Sequence, residues 1–350
     1  MLRKWLMGGP VLSRGVVRTV AALYVLMYAL VYAKAGALLP EFIFRDADKI
    51  QAQMGGADTY AGTSFDAVGR FYAMFGPLVD ALVIGIGACF IWAMLCRANR
   101  PGLMAAALVL SVPCVFFNLF VASKDTLVVL ISLFVAHAAR RDNPRRAMLT
   151  ALLCYGAYAA LVRSYFALIA AIGFGAYAWR NCPLQWRLAG AATALLAVFL
   201  LPGSVYVALL HSRDMAVDYL VYQSPYGART SFYNPLDPSS FTGFVGDYLY
   251  ALGRLNLAWL FSPGIKELAM QLFIVLAVGP ALGQPQASRA KTLLGCFVIG
   301  HVAVSMLFEP DLGSYTRHLS SVALYSMTAL SAARRRAGGS RAAAAVPGAG

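Results

Sequence analysis

Charge is what this chain most lacks. Asp, Glu, Lys and Arg make up 13% of its 350 residues and hydrophobic types 60%, where a soluble domain is about a quarter charged. That shortage excludes an ordinary soluble globule and points to a polytopic membrane protein. Cysteine is sparse and badly placed for disulfides. Cys89, Cys114, Cys154 and Cys296 fall within apolar runs, and Cys96 and Cys182 at the ends of runs. No pair has C-x-x-C spacing, which argues against a disulfide framework, a thiolate metal site or a redox pair. Phosphate-cradling fingerprints are missing too: there is no G-x-x-x-x-G-K-[ST] and no dinucleotide-binding glycine pattern. The chain therefore carries no soluble domain for ATP or a nucleotide sugar, and no cofactor is expected.

Long apolar runs are abundant. Ten are predicted to span: Thr19–Leu39, Phe71–Leu95, Leu103–Val121, Thr126–Ala139, Ala147–Leu161, Tyr165–Trp179, Leu188–Leu210, Ile265–Leu282, Leu293–Leu307 and Leu319–Ala333. The first is too long for a secretory h-region and reads as an uncleaved anchor. Several runs have only ~15 residues against the ~20 needed to cross, so their helices are expected to extend into the flanking turns. Phe244–Phe261, interrupted by Asp247 and Arg254, reads as an interfacial amphipathic helix. The predicted fold is an all-α helical bundle over 1–333, with polar loops at 40–70 and 211–262 and a disordered basic, Ala/Gly-rich tail at 334–350.

Ten spans put both termini on one side, and the loops then sort by charge. One face holds the N-terminus, the turns at 97–101, 140–146, 180–187 and 284–291, and the tail. It carries 18 of the 29 Lys and Arg but a single acid, Asp142. The positive-inside bias makes this face cytoplasmic. The net charge of +14 is thus a topology signal rather than a nucleic-acid footprint, since the basic links are too short to grip a duplex.

The remaining acids gather at the outward face, and so do the residue types that do chemistry. FEPDLGSYTRH, Phe308–His318, packs Glu309, Asp311, Arg317 and His318 into what reads as a turn stopped by Pro310 and Gly313. Ionisable groups beside membrane spans mark functional sites, against the plain alternative that exposed hairpin tips carry charge. Two further tight turns bring Lys124 and Arg163 to the same depth as Arg317. Three cations at head-group level suit a phosphate or pyrophosphate; the plain alternative is snorkelling at helix ends. A nucleophile attacking such a donor needs a base, and Glu309, Asp311, His318 and His211 are the candidates. Arg229, Tyr226 and Tyr233, with Tyr222, Gln223, Asn234 and Tyr248, are further candidates for substrate binding, although Tyr also favours membrane interfaces. His137 and His301 read as packing or interhelical hydrogen bonds.

Lys124 in VASKDTLV, Arg163 in LVRSYF, the late EPDLGSYTRH and the early FRDADKIQ together resemble the bacterial Wzy-type polymerases of surface polysaccharides, including the EpsG-like group. The resemblance is a scattered pattern over most of the chain. It implies a bundle in the bacterial inner membrane with a cavity open to the outer face. It implies joining of oligosaccharide repeat units carried on undecaprenyl pyrophosphate, with Lys124, Arg163 and Arg317 on the pyrophosphate. A chain-length regulator and export machinery are its implied partners.

Two other readings stay open. Asp46-x-Asp48 resembles the acidic pair of GT-C glycosyltransferases, where a divalent ion would bridge it to a polyprenyl-phosphate sugar. A transporter or flippase for lipid-linked sugars would use a buried acid such as Asp80, though no inverted repeat is visible.

Overall fold

A computed structural model describes residues 6, 8–224, 229–283 and 288–332. Arg3, Lys4, Tyr226 and the tail at 334–350 lie outside the described residues. Among those described, the regular structure is helical throughout. The main helices are α1 (Arg14–Tyr32), α2 (Arg45–Met54), α3 (Ser64–Ala73), α4 (Val79–Leu95), α5 (Pro101–Asn118), α6 (Lys124–Ala138), α7 (Pro144–Leu161) and α8 (Phe166–Asn181). After these come α9 (Leu184–Phe199), α10 (Gly203–Tyr222), α11 (Phe241–Asn256), α12 (Ile265–Leu282), α13 (Arg289–Phe308), α14 (Leu312–Ser320) and α15 (Ala323–Ala332).

Among the described residues, five helices are long and apolar enough to cross a membrane, Arg14–Tyr32, Gly76–Leu95, Pro101–Asn118, Ile265–Leu282 and Arg289–Phe308, and the bent pair Leu184–Phe199 and Gly203–Tyr222 makes a sixth if it is one span. They mark an α-helical membrane protein. The ten expected runs are not ten such helices. Leu188–Leu210 is broken into α9 and α10, which meet at 88°; Pro202 has no N–H to continue the ladder and drives Leu201 out of the helical region. Leu319–Ala333 is broken between α14 and α15. There the Ser320 and Ser321 hydroxyls donate to the carbonyls of Arg317 and His318, competing with the backbone ladder. The Asp247 carboxylate does not interrupt its helix. Fully buried on α11, it accepts from Leu236 N at 2.9 Å and pins the loop before it.

Small residues set the helix crossings. A Cβ on Gly300 of α13 would stand 2.6 Å from the Ile169 carbonyl of α8, and one on Gly87 of α4 would meet the Tyr28 ring of α1 at 2.4 Å. Close backbone approach at small residues is how helices associate in lipid, where apolar transfer supplies no drive between them. The Tyr28 hydroxyl then donates to Leu119 O at 2.7 Å, satisfying a carbonyl where α5 ends.

The turns gather at two ends. Leu12 N donates to Asn99 O, Arg180 to Ala281 O, and Ser288 to Asp142 at the end rich in basic residues. At the other end Arg45 meets Tyr219, Phe232 N donates to Pro310 O, and Asp46 pairs with Arg317. The loop expected at 40–70 is largely the hairpin α2–α3, and much of that expected at 211–262 is α10 and α11.

Replacing Gly300 with Leu is expected to cost about 1–3 kcal/mol by overpacking. Gly175, whose Cβ would meet nothing within 4 Å, is the tolerant control. Thermal unfolding of the detergent-solubilised variants checks this, and equal midpoints would refute the crossing.

Candidate functional site

The site is built around one carboxylate. Asp125 lies in the first turn of α6, where a negative charge suits the helix dipole. Ser123 caps that helix in a reciprocal box with Thr126. The Asp125 side chain is 3% exposed, and two guanidiniums and an imidazole surround it. Arg317 Nε stands 2.8 Å from Oδ2, while Arg163 Nη1 and His318 Nε2 stand 3.7 and 3.5 Å from Oδ1. The Arg317 Nε–H is not aimed along a hydrogen-bond axis, so that contact is an ion pair. Arg317 Nη2 reaches Asp46 Oδ2 of α2 at 2.9 Å.

Helix α14 carries both Arg317 and His318. What read as a turn folds as a helix because Asp311 caps it, its Oδ1 accepting from Gly313 N at 2.6 Å and Ser314 N at 3.0 Å. Arg317 and His318 then fall in the last turn, where positive charge is favoured. Asn118 closes that end, donating to Arg317 O at 3.0 Å and Ser320 Oγ at 3.1 Å.

Glu309 orients the imidazole. Its buried carboxylate binds His318 Nδ1 through one oxygen and accepts from Ser314 Oγ through the other. On the far side, Arg163 Nη1 lies 3.3 Å from His318 Nε2. A guanidinium can only donate, so Nε2 accepts and Nδ1 carries the proton toward Glu309. That is the tautomer a general base requires.

Burial works to raise the Glu309 carboxyl, but His318, Ser314 and Arg163 outweigh it and hold the group below the ordinary range. For Asp46, burial again works upward, and Arg317 and Lys124 prevail to bring it down.

Beside Asp125 a cavity of about 330 Å³, counting its open mouth, is lined by Arg163, Glu309 and His318 above Phe166, Ile169 and Val304. His301 lies at its floor, and Tyr155 OH meets His301 Nε2 at 2.8 Å across helices. Lys124 feels the Asp46 and Asp125 charges but makes no ion pair with an acid among the described residues. It is 5% exposed, with Nζ 3.4 Å from the Phe65 ring centroid and 3.3 Å from Ser64 Oγ, both on α3.

The structure thus brings Lys124, Arg163, Arg317, Glu309 and His318 together and adds Asp125 and Asp46, neither of which reads from sequence as an ion-pair anchor. It separates the others. Asp311 does not face Arg317 as a base; its carboxylate is the α14 cap. His211 is exposed on α10. Arg229 lies 3.6 Å from Glu267, and Tyr233 donates to Asp218 at 2.9 Å. Asn234 is spent on Arg213 and Asp214, and Tyr248 donates to Ala303 O. Asp46 engages a guanidinium, and no group of three His, Cys, Asp or Glu among the described residues is arranged to hold a metal ion. Asp80 is exposed and accepts from Tyr32 at 2.8 Å, unlike the buried acid of a carrier.

No protein-family model, curated protein or solved structure matches the chain.

Two outcomes separate the roles of these acids. Asp125→Asn should lower stability by about 3 kcal/mol or more, because it leaves buried cations unmatched; Asp311→Ala should cost roughly 1 kcal/mol as a lost cap. Equal unfolding midpoints for the two would contradict the assignment. Acid should also destabilise the site. Carboxyls held low in the folded state contribute stability above their unfolded values near ~4, and that contribution is lost as pH falls through the folded values. Melting temperature should therefore drop below about pH 4, and less steeply in Glu309→Gln.

Proposed function

We propose that the chain is a polymerase that joins lipid-pyrophosphate-linked oligosaccharide repeat units at the outer face of the bacterial plasma membrane. The observation that carries this reading is the meeting of Arg163 and Arg317 with the His318–Glu309 pair around Asp125, with Lys124 preceding Asp125 on α6, at one end of the bundle opposite the basic turns. On the ten-crossing topology expected from the sequence, with both termini cytoplasmic, the positive-inside bias puts that end outside. No ATP or nucleotide sugar is expected there, so the donor must arrive activated within the membrane.

The chemistry follows from the residues. An acceptor sugar hydroxyl attacks the anomeric carbon of the donor, and the bond from that carbon to the pyrophosphate oxygen breaks. The bonding electrons leave on the pyrophosphate, whose growing charge Arg317, Arg163 and Lys124 match. His318 Nε2 takes the hydroxyl proton, and Glu309 holds the ring and steadies the resulting imidazolium. Arg163 must yield Nε2 to the hydroxyl, and the arriving pyrophosphate gives it a better partner. Between the two carboxylate candidates named from sequence, Glu309 contributes through His318 and Asp311 through the fold.

Purified protein should extend its lipid-linked donor without ATP or nucleotide sugar, and a strict requirement for either would defeat the proposal. His318→Gln should lower turnover by about 10²-fold or more. Arg317→Lys keeps the charge but loses the planar fork, and is expected to lose about tenfold in rate or more, the worth of one charge-assisted hydrogen bond. Cysteines placed at Gly62 and Ser239 should react with an impermeant reagent from outside and one at Asn143 should not. The reverse pattern would invert the site.

A further inference from the structure

We propose that the hairpin α2–α3 is a lid over the cation site, latched by Asp46 on Arg317 and by Phe65 on Lys124, and that a diphosphate headgroup displaces the latch. The inference rests on the anion-site reading above and adds how that site is opened.

Arg317 is held by two acids of different standing. The Asp125 side chain is 3% exposed and belongs to the bundle, whereas that of Asp46 is 29% exposed and belongs to the hairpin. Ion pairs within reach of water are weak, so a multiply charged phosphate competes well against Asp46 and poorly against Asp125. Lys124 repeats the pattern without an acid. Ser64 and Phe65 of the same hairpin cover it, and no carboxylate among the described residues lies within ion-pair distance. The hairpin thus occupies two of the three cations with its own groups, one anionic and one aromatic.

The hairpin is built to move as a piece. Its helices clasp closely, for a Cβ on Gly69 of α3 would stand 2.7 Å from the Gln53 Cβ of α2. Beyond α3 lies Gly76, at φ +51° with nothing near its missing Cβ, a left-handed position that Gly adopts without strain. Tyr72, in the last turn of α3, donates to Ser123 O at 3.0 Å and is buried, which makes it the pivot. On the far side, Arg45 closes the latch against Tyr219 of α10. Motion is also needed sterically. The cavity beside Asp125 is only about 330 Å³ even with its open mouth counted, and a lipid-linked oligosaccharide is larger.

The test uses the full chain in detergent, with inorganic pyrophosphate as the probe. Its affinity is measured by titration calorimetry, and α2–α3 mobility by amide hydrogen exchange. Asp46→Asn should tighten binding about tenfold, since it removes the closed state that competes with the ligand. Asp58→Asn makes the same charge change at the exposed tip of the hairpin and should not tighten it. Exchange in α2–α3 should speed up when pyrophosphate binds the wild-type protein, and be fast without ligand in Asp46→Asn and Phe65→Ala.

Wild-type binding with unchanged or weaker affinity in Asp46→Asn, or equal tightening in Asp58→Asn, overturns the lid and leaves the anion site standing. Unchanged exchange on binding does the same. Failure of both wild type and Asp46→Asn to bind pyrophosphate overturns the anion site, and the lid with it.

Discussion

The site depends on a buried carboxylate that cannot be left alone. Removing an ion such as Asp125 from water costs several kcal/mol even after the protein relaxes. The cost is offset only by close, well-placed cations, and these come from distant parts of the chain: Arg163 after α7 and Arg317 on α14, with the His318 ring beside them. Asp125 therefore fixes how α6, α14 and the α7–α8 connection meet. The same demand explains the supporting polar frame, in which Asn118 holds the end of α14 and Thr126 donates to Asn118 O at 2.6 Å and Val121 O at 2.9 Å.

Asp125 also divides the site. Oδ2 faces Arg317, which lies beneath the hairpin, while Oδ1 faces Arg163 and His318, which border the cavity. The guanidinium under the hairpin and the imidazole beside the cavity are thereby held in separate places under one constraint. The imidazole gains its direction from both sides, a carboxylate on Nδ1 and a guanidinium on Nε2. Neither neighbour alone fixes the tautomer as firmly as the two together.

Much of this was legible in the residues, and the failures have physical causes. The apolar runs and the sorting of charge announce helices in a membrane, because lipid tolerates little else. Lys124, Arg163, Arg317, Glu309 and His318 could be picked out because ionisable groups beside spans are costly to keep. Pairing could not be read. Asp46 and Arg317 are 271 positions apart, and nothing local in either segment points to the other. The helical nature of Leu312–Ser320 was readable and hidden by Pro310 and Gly313. Leu312, Tyr315, Thr316, Leu319 and Ser320 are its buried positions, spaced i, i+3, i+4, i+7 and i+8 behind an Asp cap. The same pattern assigns Asp311 to the backbone rather than to the chemistry. The break at Ser321 was less readable, since serine hydroxyls bend helices only where they turn back onto the i−3 or i−4 carbonyl.

The proposed chemistry belongs at one end of the bundle for a reason that precedes any particular substrate. Among the described residues, the basic end offers guanidiniums that mostly close helix ends: Arg97 binds Ala93 O, Arg100 binds Gly9 O, Arg180 binds Ala281 O and Arg187 binds Arg180 O. Cations spent on carbonyls, with Asp142 the lone acid beside them, provide charge but no proton acceptor held in a set direction. The opposite end interleaves acids with cations, and interleaving is what orients an imidazole and keeps a guanidinium fixed until a stronger anion arrives. A reaction that needs both a base and a sink for negative charge can be assembled only there. A donor already resident in the lipid would reach that end without leaving the membrane.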